Sequence, residues 1–84
     1  MLTLDLALAN QKYRIAQLSS KLDSAVEQER MRQLFELGFI KGESVILLRR
    51  TMPGSDPMVV RVGTSTFALR KAEAQTIGVE MDPT

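Results

Sequence analysis

Apolar and polar residues alternate along Lys12-Tyr13-Arg14-Ile15-Ala16-Gln17-Leu18, which predicts a strand with Tyr13, Ile15 and Leu18 turned inward. Leu2, Leu4, Leu6 and Leu8 also recur with period two. Leucine and alanine favour helix, however, so the first nine residues stay open between strand and helix. Ser24-Ala25-Val26-Glu27 has the spacing of a helix capping box, and no Gly or Pro follows until Gly38. This predicts a helix ending at Leu37, with Met31, Leu34 and Phe35 on one face and Gly38 as a left-handed C-cap.

Beyond Gly42 the pattern turns to β. Ser44 to Arg50 is a short aliphatic run that reads as a strand, and Thr51 to Pro57 carries enough Pro and Gly to break the ladder. Met58 to Val62 predicts a strand, Gly63-Thr64-Ser65 a tight connection, and Thr66 to Leu69 the returning strand. Arg70 to Gln75 reads as a helical turn. Ile77, Val79 and Met81 then alternate with polar or small residues in a closing strand. The expected class is mainly β with one α-helix: a small SH3-like barrel of about five strands, the helix lying between the first and second. An open α+β sandwich is the alternative.

At 84 residues the chain has room for one domain, expected over 1–84. Its 44% hydrophobic content is that of a globular protein. With neither cysteine nor histidine, disulfides, thiolate catalysis, soft-ligand metal sites and the usual neutral-pH proton shuttle are excluded. No apolar run approaches a membrane span, and the leading residues, interrupted by Asp5, make a poor signal peptide. A cytoplasmic location is the resulting expectation.

Candidate chemistry is sparse. Asp56, Glu73, Glu80 and Asp82 are the carboxylates that pairing for acid–base work would use, but turn initiation and solvation account for them better. Gly38 to Gly42 lacks the spacing of a phosphate loop. The chain is therefore read as non-enzymatic, with no cofactor and no metal site of its own. Arg49, Arg50, Arg61, Arg70 and Lys71 are placed to converge on one side of a curled sheet. The formal net charge of +1 and the scarcity of aromatic residues nevertheless argue against nucleic acid. Met52 beside Pro53 suits an adaptable protein contact, whereas Phe39 and Ile40 are read first as core.

Three segments carry a resemblance. Arg32 to Gly42, with Leu37-Gly38 and a second glycine at Gly42, resembles the helix and LG dipeptide of the ferrous iron transport protein A family. Val45 to Pro57, two arginines leading into a Pro/Gly/Asp-Pro loop, is similar to the family's second segment. Phe67-Ala68-Leu69-Arg70-Lys71-Ala72-Glu73-Ala74, followed by Ile77 and Val79, is similar to its LRK-x-EA signature. Asn10 stands where members commonly have glycine, and Ser55 lengthens the loop by a residue. The resemblance implies an SH3-like barrel and a cytoplasmic accessory protein of bacterial ferrous iron uptake, held at the inner membrane only through its partner. That implied partner is the membrane iron transporter carrying a GTPase domain. Docking residues are expected at Arg49, Arg50, Met52, Asp56 and Met58, with Arg70 and Lys71 as a second group. The alternatives are a small nucleic-acid-binding or iron-repressor-type regulatory barrel, and homo-oligomerisation through barrel edges.

Overall fold

The computed structural model describes residues 2–19, 24–51, 54 and 56–82. The elements follow as β1 (Lys12–Leu18), α1 (Ala25–Leu37), β2 (Ser44–Arg50), β3 (Met58–Val62), β4 (Ser65–Leu69), α2 (Lys71–Ala74) and β5 (Ile77–Met81). The segment whose type the sequence leaves open forms a 3-10 turn at Leu4–Leu6. Its leucines do not share a face: Leu4 is buried, while Leu6 and Leu8 are exposed.

The strands form one antiparallel sheet in the order β4-β3-β2-β1-β5. Tyr13, Ile15, Val45, Leu47, Met58, Val60, Val62, Leu69, Ile77 and Val79 alternate inward from it to fill a common core. The pairing register shifts between Ile15 and Gln17 on β1 and between Leu47 and Arg49 on β2. Such irregularities bend strands and raise their twist, which lets one sheet wrap its own core. The β3–β4 connection is a two-residue hairpin closing Val62 against Ser65, with Gly63 at its first central position and φ 58°. That conformation favours glycine.

Curling does not proceed to a ladder between β4 and β5: among the described residues these strands stand at opposite ends of the order, joined through α2. The N-terminal segment covers β5 instead. Val79 donates its N–H to the Leu2 carbonyl at 2.8 Å, and Thr3 bridges Gly78. An edge that would otherwise offer unpaired backbone groups is thus satisfied from within the chain. Asn10 holds φ 65° between this segment and β1, the left-handed position that its place in the sequence called for.

Helix α1 has the expected ends. Ser24 Oγ accepts from the Glu27 N–H at 3.2 Å, and Gly38, at φ 110°, donates its N–H back to the Leu34 and Phe35 carbonyls. Its expected apolar face is narrower than the sequence suggests. Leu34 is buried and Met31 half-buried, but Phe35 is 61% exposed because it lies about 100° around the helix from Leu34. Phe39, just past the cap, is fully buried with its ring centroid 5.7 Å from that of Phe67, whereas Ile40 is 39% exposed.

Candidate functional site

The residues expected to dock a partner cluster at the β2–β3 connection and the start of α2, and the structure assigns them different tasks. Register explains the divergence at the paired arginines. Beyond the β2 bulge, Arg49 lies opposite Val59, which points outward, and Arg50 lies opposite Met58, which points inward. Arg49 is exposed, and its guanidinium has no hydrogen-bond or ion-pair partner among the described residues. Arg50 is half-buried and donates through Nη2 to the Ala7 carbonyl at 2.9 Å. One arginine faces solvent; its neighbour fastens the N-terminal segment to the sheet.

Met58 is corrected outright as a contact residue. Its side chain is fully buried in the core, since the strand alternation that exposes Arg61 turns Met58 inward. Met52 lies outside the described residues. At the loop base, Thr51 donates through both its N–H and its hydroxyl to the Pro57 carbonyl. The Asp56–Pro57 peptide is cis.

Asp56 joins the loop to α2. Its Oδ1 accepts from the Lys71 N–H at 3.1 Å and lies 3.9 Å from Arg70 Nη1. A carboxylate at a free helical N–H satisfies a donor that the short helix leaves unpaired. Glu73 acts similarly from within, accepting the Arg70 N–H at 2.8 Å. The structure therefore brings Asp56, Arg70 and Lys71 together, with the Arg70 and Lys71 side chains exposed. Arg61, passed over in favour of the loop residues, is exposed on the same sheet face as Arg49. Period-two alternation through β3 is the signal that places it there.

A shallow groove runs between α1 and the start of α2, flanked by Val26, Glu29, Arg30 and Gln33 on one side and Arg70 and Glu73 on the other. On α1, Arg32 ties Glu29 and Glu36 together. The Arg32 hydrogen bond holds the Glu29 carboxyl below its ordinary range, and Glu29 in turn raises the Arg32 guanidinium. Among the described residues no group of three or more Asp or Glu side chains is arranged to hold a metal ion, and no helix is long and apolar enough to cross a membrane.

Comparison with known proteins returns a consistent set. Residues 2–81 match the model of the FeoA domain. A Stenotrophomonas maltophilia FeoA, solved in complex with zinc, superposes with a TM-score of 0.81 at 30% identity, covering 95% of this chain and 91% of that one. It is described as a prokaryotic SH3-domain protein and a candidate ferrous iron transport activating factor. Iron(II) transport protein A from Clostridium thermocellum aligns with a TM-score of 0.76 at 28% identity, over 95% of this chain and 45% of that one. ScaR, solved with bound Zn2+, has a TM-score of 0.76 at 22% identity; this chain, covered over 98%, spans 37% of it and shares its fold. A search of curated proteins found no match.

Proposed function

The chain belongs to the FeoA domain family, associated with ferrous iron transport, and from that premise we propose that it is a non-enzymatic cytoplasmic accessory protein of ferrous iron uptake. In this reading it docks on the cytoplasmic portion of a membrane iron transporter that carries a GTPase domain, and alters that partner's nucleotide cycle or assembly. The observation that carries the reading is the family match across residues 2–81. The chain supplies no histidine or cysteine for catalysis or for tight Fe²⁺ ligation, which agrees with a role exercised through contact. A binding module regulates by favouring one state of its partner, so its affinity must differ between the transporter's nucleotide states.

The docking residues proposed are Arg49, Arg70 and Lys71, whose charged groups reach solvent, with Arg50 and Asp56 holding the surrounding backbone in place. Met52 stays in the proposal on its sequence position alone. The likeness to a manganese-dependent transcriptional repressor, at 17% identity, extends to the fold only, so a regulatory-domain reading ranks second.

The test is binding of the purified protein to the detergent-solubilised transporter, with and without guanine nucleotide, while GTP hydrolysis is followed. Nucleotide-dependent binding with a changed rate is expected. Binding with no change in rate reduces the role to scaffolding, and absence of binding in every nucleotide state overturns the proposal.

A further inference from the structure

The outer face of β2, β3 and β4 is fixed by alternation and register. Met58, Val60 and Val62 turn inward, which leaves Val59 and Arg61 outside. Arg49 stands opposite Val59, and Ala68 follows on β4; Ile46 stands opposite Arg61, flanked by Lys12 on β1 and Thr66 on β4. Adjacent cross-strand rows therefore read Arg49–Val59–Ala68 and Lys12–Ile46–Arg61–Thr66. Val59 and Ile46 are half-buried, whereas Arg49, Arg61, Ala68 and Thr66 are exposed.

The two arginines of this face differ from the molecule's other arginines, each of which has a partner, Arg50 through the Ala7 carbonyl. Arg30 pairs with Glu27, Arg32 with Glu29 and Glu36, and Arg70 with Asp56, while Lys12 and Arg14 share Asp82 at 3.7 and 3.5 Å. The Arg49 row contains no carboxylate and the other row meets one, Asp82, only at its Lys12 end, while Arg49 and Arg61 have no ion-pair partner among the described residues. Glu80, opposite Arg14, lies on the β1–β5 side. The Arg49 and Arg61 guanidinium groups thus stand over a small apolar floor, Val59 and Ile46, with no carboxylate paired to either among the described residues. Arginine stems cover such a floor, and their planar forks match carboxylates bidentately.

We propose that this face docks an acidic segment of a partner polypeptide, with Arg49 and Arg61 taking its carboxylates and Val59 and Ile46 its apolar flank. The inference rests on the docking reading above and names the surface that performs it. A phosphate polymer fits less well, because neither row offers an aromatic ring and the chain's net charge is only +1.

The test titrates the isotope-labelled full chain with a short Glu-rich peptide containing a few leucines, with the same peptide carrying Gln for Glu, and with a short DNA duplex. Amide shifts centred on Val59, Arg61 and Ala68 are expected with the Glu peptide alone. The double reversal Arg49→Glu, Arg61→Glu is expected to weaken binding at least about tenfold, at an unchanged melting temperature. The neutral double variant Arg49→Gln, Arg61→Gln is expected to lose less. Equal binding of the Gln peptide, shifts confined to another face, undiminished binding by the reversed variant, or tighter binding of the DNA at these amides would each overturn the proposal. If the wild type binds the peptide here yet ignores the transporter, the docking reading fails and this face stands. If transporter docking survives the double reversal at full strength, this face alone fails.

Discussion

The outer rows of β2–β3 and the corner formed by the loop base, α2 and the N-terminal segment carry similar side chains put to opposite uses. In the corner, Arg50 holds the Ala7 carbonyl and Asp56 holds the Lys71 N–H, so charged groups are spent on fastening the fold. On the outer rows, Arg49 and Arg61 fasten nothing among the described residues. The contrast shows that residue type does not decide availability. Arg49 and Arg50 are neighbours in sequence, and alternation sends them to opposite faces, with the β2 bulge deciding which of the two points outward.

The sharpest way to break this comparison starts with Met58, which the sequence placed among the contact residues and the structure places in the core. Met58→Ala is expected to destabilise the protein by about 2–5 kcal/mol, the range for truncating a fully buried large side chain. Denaturant unfolding measures it, and a loss well below about 1 kcal/mol would return Met58 to the surface. Next in size, Arg50→Ala is expected to cost about 1–3 kcal/mol, since it removes a charge-assisted bond to the Ala7 carbonyl. Hydrogen exchange should then rise first at Ala7, Leu8 and Asn10. Exchange that rises uniformly, or at the β3–β4 hairpin, would contradict the fastening role.

Asp56→Ala should cost about 1 kcal/mol, the usual effect of losing a capping oxygen, with early fraying of α2 seen in the same exchange experiment. The smallest effect belongs to the solvent-exposed network on α1. Glu29 titrates below its ordinary range because Arg32 hydrogen-bonds its charged form. Its contribution is therefore complete above the usual carboxylate range and disappears as pH falls through the lowered value. Glu29→Gln should leave the neutral-pH melting temperature almost unmoved while flattening its decline in acid. An equal decline in wild type and variant would remove Glu29 from the account.

The sequence revealed the strands because period-two burial leaves a plain trace: Tyr13 and Ile15, Val45 and Leu47, and Val60 and Val62 all turn inward as their spacing requires. Helix ends were equally plain at Ser24 and Gly38, where local chemistry sets the backbone. The N-terminal segment was not. Its alternating leucines satisfy a strand pattern, but Leu4 is fixed by tertiary burial and Leu2 by pairing with β5, contacts made to residues far along the chain. Phe35 misled for a different reason: α1 meets the core through a stripe too narrow to take in a side chain adjacent to Leu34.

At the candidate site the pattern repeats. Arg49 and Arg61 share a face because the register shift past Leu47 reverses the alternation that turns Val45 and Leu47 inward, and the spacing along the chain does not announce that shift. The Arg50–Ala7 and Asp56–Lys71 bonds span the fold, and no local signal announces them. Sequence therefore identified the charged residues, and only the three-dimensional pairing sorted fasteners from free ends.

The central claim is that this FeoA-family chain acts by docking through unspent arginines. Its most direct test compares the affinity of wild type, Arg49→Glu/Arg61→Glu and Lys41→Glu for the solubilised iron transporter, with all melting temperatures recorded. Lys41 is exposed in the turn after α1, apart from the two outer rows. The account predicts at least about a tenfold loss for the double reversal, little change for Lys41→Glu, and equal melting temperatures throughout. Equal affinity for all of them, or a loss shared by Lys41→Glu, would contradict it.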